Sequence, residues 1–259
     1  MGHIRLGTLP QSKKWQDVVG LLETDAPLDA VAEAAARASE YDLKRATDDP
    51  GFQFVTSLLV RLPFLARAPG FEDVVADLGI GRDSLSSVPA FLAELTNAIE
   101  RNAFETGHSS DTTGLAKAAL TETLADKLGE RLPTYFEPTP QELRKALAGY
   151  ASGQEFARLS RAFFANLTYR SLDYFLSREL ANHTGTDRRF ASDADRIAFE
   201  RALKQHTIEA SRIVEEYAGG WYGKTVWQKN RLDQQEIDRF TRYSFKKMRD
   251  ELGRRRATA

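Results

Sequence analysis

Residues 153–182 read GQEFARLSRAFFANLTYRSLDYFLSRELAN, and this stretch decides the fold class. Large apolar side chains recur at the three- and four-residue spacing that places them on one face of an α-helix. A phenylalanine-rich stripe at this spacing is typical of a long helix that packs into a protein core. The stripe is formed by Phe156, Leu159, Phe163, Leu167, Phe175 and Leu176.

A second long helical pattern occupies residues 192–217, about ten residues after the first one ends. Two long helices joined by so short a connection pack side by side in opposite directions. We therefore expect an antiparallel helical hairpin in the C-terminal half of the chain. Its second apolar stripe is formed by Ile197, Leu203, Ile208, Ile213 and Val214.

The rest of the chain carries the same kind of pattern, interrupted by residues that favour helix starts. Ser12, Asp49 and Thr139 stand before helical stretches, and Pro50 and Pro140 occupy first-turn positions. The sequence has no internal repeat, no glycine-rich phosphate loop and no alternation of strands with helices, which argues against Rossmann and P-loop enzymes. The sequence predicts an all-α protein with roughly ten helices in a multi-helical bundle.

A proline-rich stretch, RLPTYFEPTP at residues 131–140, is the best candidate for a boundary between two lobes. It predicts an acidic N-terminal lobe at residues 1–132 and a basic C-terminal lobe at residues 139–259. The alternative is one continuous domain over residues 1–259.

Charge is distributed unevenly along a chain whose net charge is only −1. Residues 1–150 carry 15 Lys and Arg against 22 Asp and Glu, whereas residues 151–259 carry 21 against 15. A basic half predicts an acidic partner, which could be a nucleic acid, another protein or the acidic half of a second copy. The alternative is that both halves are simply well solvated.

Composition sets further limits on the class of protein. Because 42% of the residues are hydrophobic, we expect a packed core and not disorder. The absence of cysteine excludes disulfides and thiolate metal sites. No signal-peptide core and no stretch of 18 apolar residues is present, so we expect a cytoplasmic protein with no membrane span. We predict no cofactor, no metal and no small-molecule ligand.

Three of the four histidines follow an arginine at a spacing of five to seven positions, and two of these pairs are candidate catalytic couples. Arg178 precedes His183, and Arg101 precedes His108. An Arg followed after four to six residues by a His is similar to the motif of the HEPN family. The resemblance implies an all-helical, usually dimeric ribonuclease that needs no metal. In it, the His moves a proton and the Arg stabilises charge on the phosphate during attack by the 2′-hydroxyl.

The pair Arg178 and His183 also has a purely structural interpretation. Five residues along a helix turn the two side chains about 140° apart. Glu179 stands four residues before His183 on the same face and favours an ion pair with it. A cationic His before Gly185, a natural helix C-cap, interacts favourably with the helix dipole.

The stretch AGGWYGKTVWQKNR, residues 218–231, predicts a glycine-rich loop that presents aromatic rings among cations. Residues 214–259 carry 11 basic against 7 acidic side chains. Such a set favours contact with a nucleic acid or an acidic protein. The alternative is that the rings pack on the core and the cations are solvated. The last helical stretch adds the cations Arg239, Arg242 and Arg249. The candidate contact residues are Trp221, Tyr222, Lys224, Trp227, Lys229 and Arg231, followed by Lys246, Lys247, Arg254, Arg255 and Arg256.

These patterns favour a non-enzymatic helical adaptor, or accessory subunit, that binds a protein or nucleic-acid partner through its basic C-terminal half. The alternative is a HEPN-like, metal-independent ribonuclease or toxin. The chain also resembles helical proteins of bacterial multi-gene antiviral defence loci, in which both functions occur. This resemblance lies in GHIRLGTLPQSKKWQDVV, residues 2–19, and DYFLSRELANHTG, residues 173–185.

Overall fold

A computed structural model describes residues 12–39, 47–107, 110–132, 137–229 and 232–254, without the side chains of 227–229 and 254. The predicted all-α fold is confirmed, because the described chain is helical throughout its regular structure. Within these ranges the only β-type backbone pairing is an isolated bridge between Thr184 and Phe190. The N-terminal segment before residue 12 lies outside the described residues.

The helices follow one another with short connections. They are α1 (Lys13–Glu23), α2 (Leu28–Ala38), α3 (Pro50–Leu65), α4 (Phe71–Asp77), a 3₁₀ helix (Arg82–Ser86), α5 (Val88–Glu105), α6 (Asp111–Gly129), α7 (Pro140–Ala148), α8 (Gly153–Asn182), α9 (Asp193–Ala210), α10 (Arg212–Lys229) and α11 (Gln234–Arg254).

Side-chain caps start the helices where the sequence predicts them. The Ser12 hydroxyl accepts a hydrogen bond from a backbone N–H at the start of α1, and the Asp49 carboxylate does the same for α3. Thr139 and Glu142 form a reciprocal capping box at the start of α7. These caps satisfy N–H groups that have no partner inside the helix.

Helix α8 is the central element of the fold. It packs against α6, α9, α10 and α11, and it also touches α2 and α3. Because neighbours surround it, its buried positions form a band much wider than one stripe. Phe156, Leu159, Phe163, Phe164, Leu167 and Leu176 are all fully buried.

The C-terminal helical pair is longer and more bent than the sequence predicts. The second helix continues to Lys229, and it bends at Ser211, where α9 ends and α10 begins. The Ser211 hydroxyl donates to the carbonyl of Ile208 at 2.6 Å, a side-chain bond that bends helices. Ile197, expected in the apolar stripe, is 37% exposed because it lies before the part of α9 that is covered.

The core is continuous along the described chain. Buried apolar side chains from Trp15 in α1 to Leu252 in α11 belong to one cluster. The division into lobes at residues 1–132 and 139–259 stays a prediction.

Candidate interaction surface

The Arg178 and His183 side chains are not joined by any contact in the described structure. Arg178 is exposed on α8, whereas His183 is half-buried and is the residue at which the helix ends. The His183 N–H donates to Glu179 O at 3.1 Å, and its carbonyl accepts from the Phe190 N–H at 3.0 Å. The C-cap is therefore His183 and not Gly185. His183 fixes the backbone at the helix end.

Arg101 of α5 has a structural contact of its own. Its guanidinium donates to the carbonyl of Gly79, a residue with a left-handed backbone (φ 82°) in the turn after α4. Its candidate partner His108 lies outside the described residues. The remaining pair, Arg201 and His206, lies on α9, and five helical positions turn these two side chains about 140° apart.

The predicted loop at 218–231 is wrong, because α10 continues through this stretch to Lys229. Tyr222 is 1% exposed and stacks on Phe156 with ring centroids 4.0 Å apart. Trp221 is half-buried and stacks on Phe240 at 4.2 Å. These two rings join α10 to α8 and α11, so neither forms an open contact surface.

The other candidates in this stretch divide into exposed and undescribed residues. Lys224 is exposed on the outer side of α10. The side chains of Trp227 and Lys229, the whole of Arg231, the side chain of Arg254 and residues Arg255 and Arg256 lie outside the described part of the structure.

The outer face of α11 carries an exposed cationic stripe. The buried face of α11 includes Ile237, Phe240, Phe245 and Met248. On the opposite side, none of the exposed residues among the described side chains of α11 is acidic. These residues are Gln235, Arg239, Arg242, Tyr243 and Lys246. Together with the half-buried Lys247, whose ammonium lies by the Tyr243 ring, we call them the outer face of α11.

The cations of this helix differ in how strongly they are paired. Arg242 donates to Asp48 at 2.6 Å and to Thr47, which ties α11 to the start of α3. Arg239 makes only a long, exposed contact of 3.5 Å with Glu236. Lys246 and Lys247 have no carboxylate partner within the described residues. Three cations are therefore available to an incoming anion.

Tyr243 is the residue on this face that sequence reasoning missed. It is 45% exposed, and its ring lies edge-on to Tyr217 with centroids 4.7 Å apart. The Lys247 ammonium lies 5.4 Å from the centre of the ring. Helical periodicity could have found this residue, because Tyr243 stands four positions from both Arg239 and Lys247.

A second charged feature is a groove of about 900 Å³ lined by α6, α8 and the α9–α10 pair. Every basic side chain that lines it already has an acidic partner. Such a groove holds no spare positive charge for a polyanion. The pairs are Lys127 with Glu130, Arg158 with Glu155, Arg161 with Glu215, and Lys204 with Glu122.

Glu122 is at the centre of the charge network at this groove. Burial would raise the pKa of its carboxyl, but Arg170 at 2.7 Å and Lys204 at 3.2 Å outweigh burial and hold the pKa below its usual range. Burial, helped by the nearby Asp173, raises the pKa of Tyr169 to about 12. These charges join α6, α8 and α9, which fits a network that fixes helix packing.

Two specific features are absent from the described residues, a metal-binding cluster and a membrane-spanning helix. These residues hold no cluster of three or more His, Asp or Glu placed to bind a metal ion. Among them, no helix is long and apolar enough to cross a membrane. No protein-family model, curated protein or solved structure matches this chain.

Proposed function

We propose that this protein is a non-enzymatic helical adaptor that binds an acidic macromolecule through the outer face of α11. The observation that carries the proposal is that the exposed positions among the described side chains of this helix include no acidic residue, since its acidic side chains are all half-buried. Its free cations, Lys246 and Lys247, would pair with the partner's phosphates or carboxylates. A role in a bacterial antiviral defence system belongs to the same proposal and rests on resemblance alone.

Binding to two acidic probes tests the proposal directly. The full-length protein is titrated into fluorescently labelled poly-L-glutamate and into a labelled 20-nucleotide single strand at about 50 mM salt, where exposed charges are weakly screened. We expect the wild type to bind at least one probe. The double variant Lys246→Glu, Lys247→Glu is expected to lose that binding at least tenfold, because two attractions become repulsions.

A matched control separates the outer face of α11 from general charge. Lys13 on α1 and Lys145 on α7 are exposed and lie on other helices. The double variant Lys13→Glu, Lys145→Glu changes the net charge by the same amount and should bind almost as the wild type does. Equal loss in both variants, or no binding of either probe, would contradict the proposal.

The ribonuclease alternative stays a prediction that no contact within the described residues favours. Its test is cleavage of RNA by the purified protein in EDTA, wild type against His183→Ala, with the oligomeric state recorded by light scattering. We expect no cleavage, and a variant that differs only in heat stability. Metal-independent cleavage that disappears in a folded His183→Ala protein would overturn the adaptor proposal and support the ribonuclease.

A further inference from the structure

The side chains of the outer face of α11 also indicate which class of acidic macromolecule binds there, provided that the proposed function holds. Protein interfaces depend on an apolar centre of well-packed anchors surrounded by a polar rim. On α11 the large aliphatic side chains, Ile237, Met248 and Leu252, are all buried in the core. The exposed face therefore offers a protein partner charge but almost no apolar area.

Its one large exposed hydrophobic group is an aromatic ring, Tyr243. Non-specific binding of single-stranded nucleic acids needs two elements, an aromatic ring on which a base stacks and cations that hold the neighbouring phosphates. Arg239 stands four residues before Tyr243, and Lys246 and Lys247 stand three and four residues after it. These offsets place cations on both sides of the ring on the same helix face.

The ring is already held in place before any ligand arrives. Tyr217 of α10 contacts it edge-on with an angle of 80° between the ring planes. The Tyr217 hydroxyl in turn donates to Ser244 Oγ at 2.7 Å, which fixes Tyr217 against α11. An aromatic side chain with few free torsions loses little conformational entropy on binding, so the arrangement favours stacking.

The distance between the flanking cations matches the length of a short segment of single-stranded nucleic acid. Arg239 and Lys247 are eight residues apart, which is about 12 Å along a helix. In a duplex the face of each base is covered by its neighbours, whereas in a single strand a base is free to stack on a protein ring. The exposed ring therefore favours an unpaired strand over a duplex.

We infer that the outer face of α11 binds single-stranded nucleic acid. One base stacks on Tyr243, and the adjacent phosphates pair with Arg239 and Lys246. The Lys247 ammonium, which lies over the Tyr243 ring at 5.4 Å, moves from the ring to a phosphate as the base stacks. Binding does not depend on sequence, because a ring and flexible cations read no base edges.

The test is a fluorescence anisotropy titration of the full-length protein with labelled 20-nucleotide oligo-U and oligo-dT and with a duplex of equal length. Tyr243→Leu removes the ring and is expected to weaken strand binding about tenfold, the typical effect of losing one stacked base. Tyr243→Phe keeps the ring and should stay within about twofold of wild type. For Lys246→Gln, Lys247→Gln, the slope of log affinity against log salt should fall by about 0.7 for each phosphate that the protein no longer neutralises.

The outcomes separate this inference from the proposed function. Suppose that Lys246→Glu, Lys247→Glu abolishes binding of poly-L-glutamate while Tyr243→Leu binds the strand as the wild type does. The adaptor then stands with an acidic protein as its partner, and the nucleic-acid inference is wrong. Equal affinity for strand and duplex in the wild type would also overturn it. Circular dichroism checks that each variant is folded.

Discussion

Gly153, at the start of α8, and Gly219, in the middle of α10, bring their helix backbones into direct contact. A β-carbon added to Gly153 would lie 2.7 Å from the carbonyl oxygen of Gly219. A β-carbon added to Gly219 would lie 2.8 Å from the carbonyl oxygen of Gly153. Neither obstacle is a flexible side chain, so only glycine fits on both sides of this crossing.

We predict that Gly219→Ala destabilises the protein by about 1–3 kcal/mol, the usual effect of overpacking a tight contact. The neighbouring Gly220→Ala is the matched control, because a β-carbon there meets nothing within 4 Å. In that variant the better helix propensity of alanine should leave stability unchanged or raise it by up to about 1 kcal/mol. Urea unfolding followed by circular dichroism measures both free energies. Equal stability of the two variants would mean that the helices do not cross at Gly219.

This crossing also explains why the prediction of a loop at residues 218–231 was wrong. Three glycines within a few positions predict a loop, since glycine is unfavourable inside a helix. In the structure Gly219 is required for close contact with Gly153, which is far away in the sequence. No local sequence pattern predicts such a contact. The α8 stripe and the caps at Ser12, Asp49 and Thr139 were predicted correctly because their signals are local.

Tyr222 and Tyr217 form a second pair of matched positions on α10. The Tyr222 hydroxyl is buried and has no hydrogen-bond partner within the described residues, whereas the Tyr217 hydroxyl donates to Ser244. A buried polar group without a partner is destabilising. We therefore expect Tyr222→Phe to stabilise the protein by about 1 kcal/mol and Tyr217→Phe to destabilise it by a similar amount. Thermal unfolding distinguishes the two signs.

If Tyr222 were instead a contact residue for a partner, its substitution would affect binding more than stability. Loss of strand or polyglutamate affinity in Tyr222→Phe, with unchanged unfolding, would therefore contradict the core position of this ring.

The interaction surface was predictable only in part. Lys246 and Lys247 belong to a basic run that the sequence shows directly. The importance of Tyr243 depends on which face of α11 is buried, and Phe240 and Phe245 decide that by packing against α8 aromatic rings. Composition alone does not distinguish Tyr243 from Tyr222, although Tyr243 is exposed and Tyr222 is buried.

Asp49 should give the protein a measurable dependence on acid pH. Burial would raise the pKa of its carboxyl, but hydrogen bonds from Ser110, Thr113 and the backbone N–H groups of Phe52 and Gly51 outweigh burial and lower the pKa below 3.8. Because the folded-state pKa lies below the unfolded one, the stabilisation is complete above the unfolded value. It is lost as pH falls through the folded value.

We expect Thr113→Val to lower the free energy of unfolding at neutral pH by about 1 kcal/mol, since it removes the 2.8 Å bond to Asp49. Asp49→Asn should flatten the fall in stability below about pH 4, because the titrating group is gone. Urea midpoints across this pH range measure both effects. Thr112→Val, the adjacent position, is the control and should follow the wild-type curve. A wild-type slope in Asp49→Asn would exclude Asp49 as a source of the pH dependence.

Arg189 holds the connection after α8 against the N-terminal helices. Its guanidinium donates to the carbonyls of Leu21 at 3.2 Å and Ala26 at 2.5 Å, and it lies 5.0 Å from the centre of the Phe199 ring. Arg189→Ala would leave two carbonyls without a charged donor, so we expect a loss of about 2–3 kcal/mol.

Lysine at position 189 tests whether the geometry of the guanidinium matters. A lysine ammonium is a point charge and does not reproduce the planar fork that reaches both carbonyls. We therefore expect Arg189→Lys to recover less than half of the loss, as measured by urea unfolding. The exposed Arg178 of α8 makes no side-chain hydrogen bond or ion pair within the described residues, so Arg178→Ala should change stability by no more than about 0.5 kcal/mol. If Arg189→Lys were as stable as the wild type, charge alone would hold the connection, and the two carbonyl contacts would contribute little.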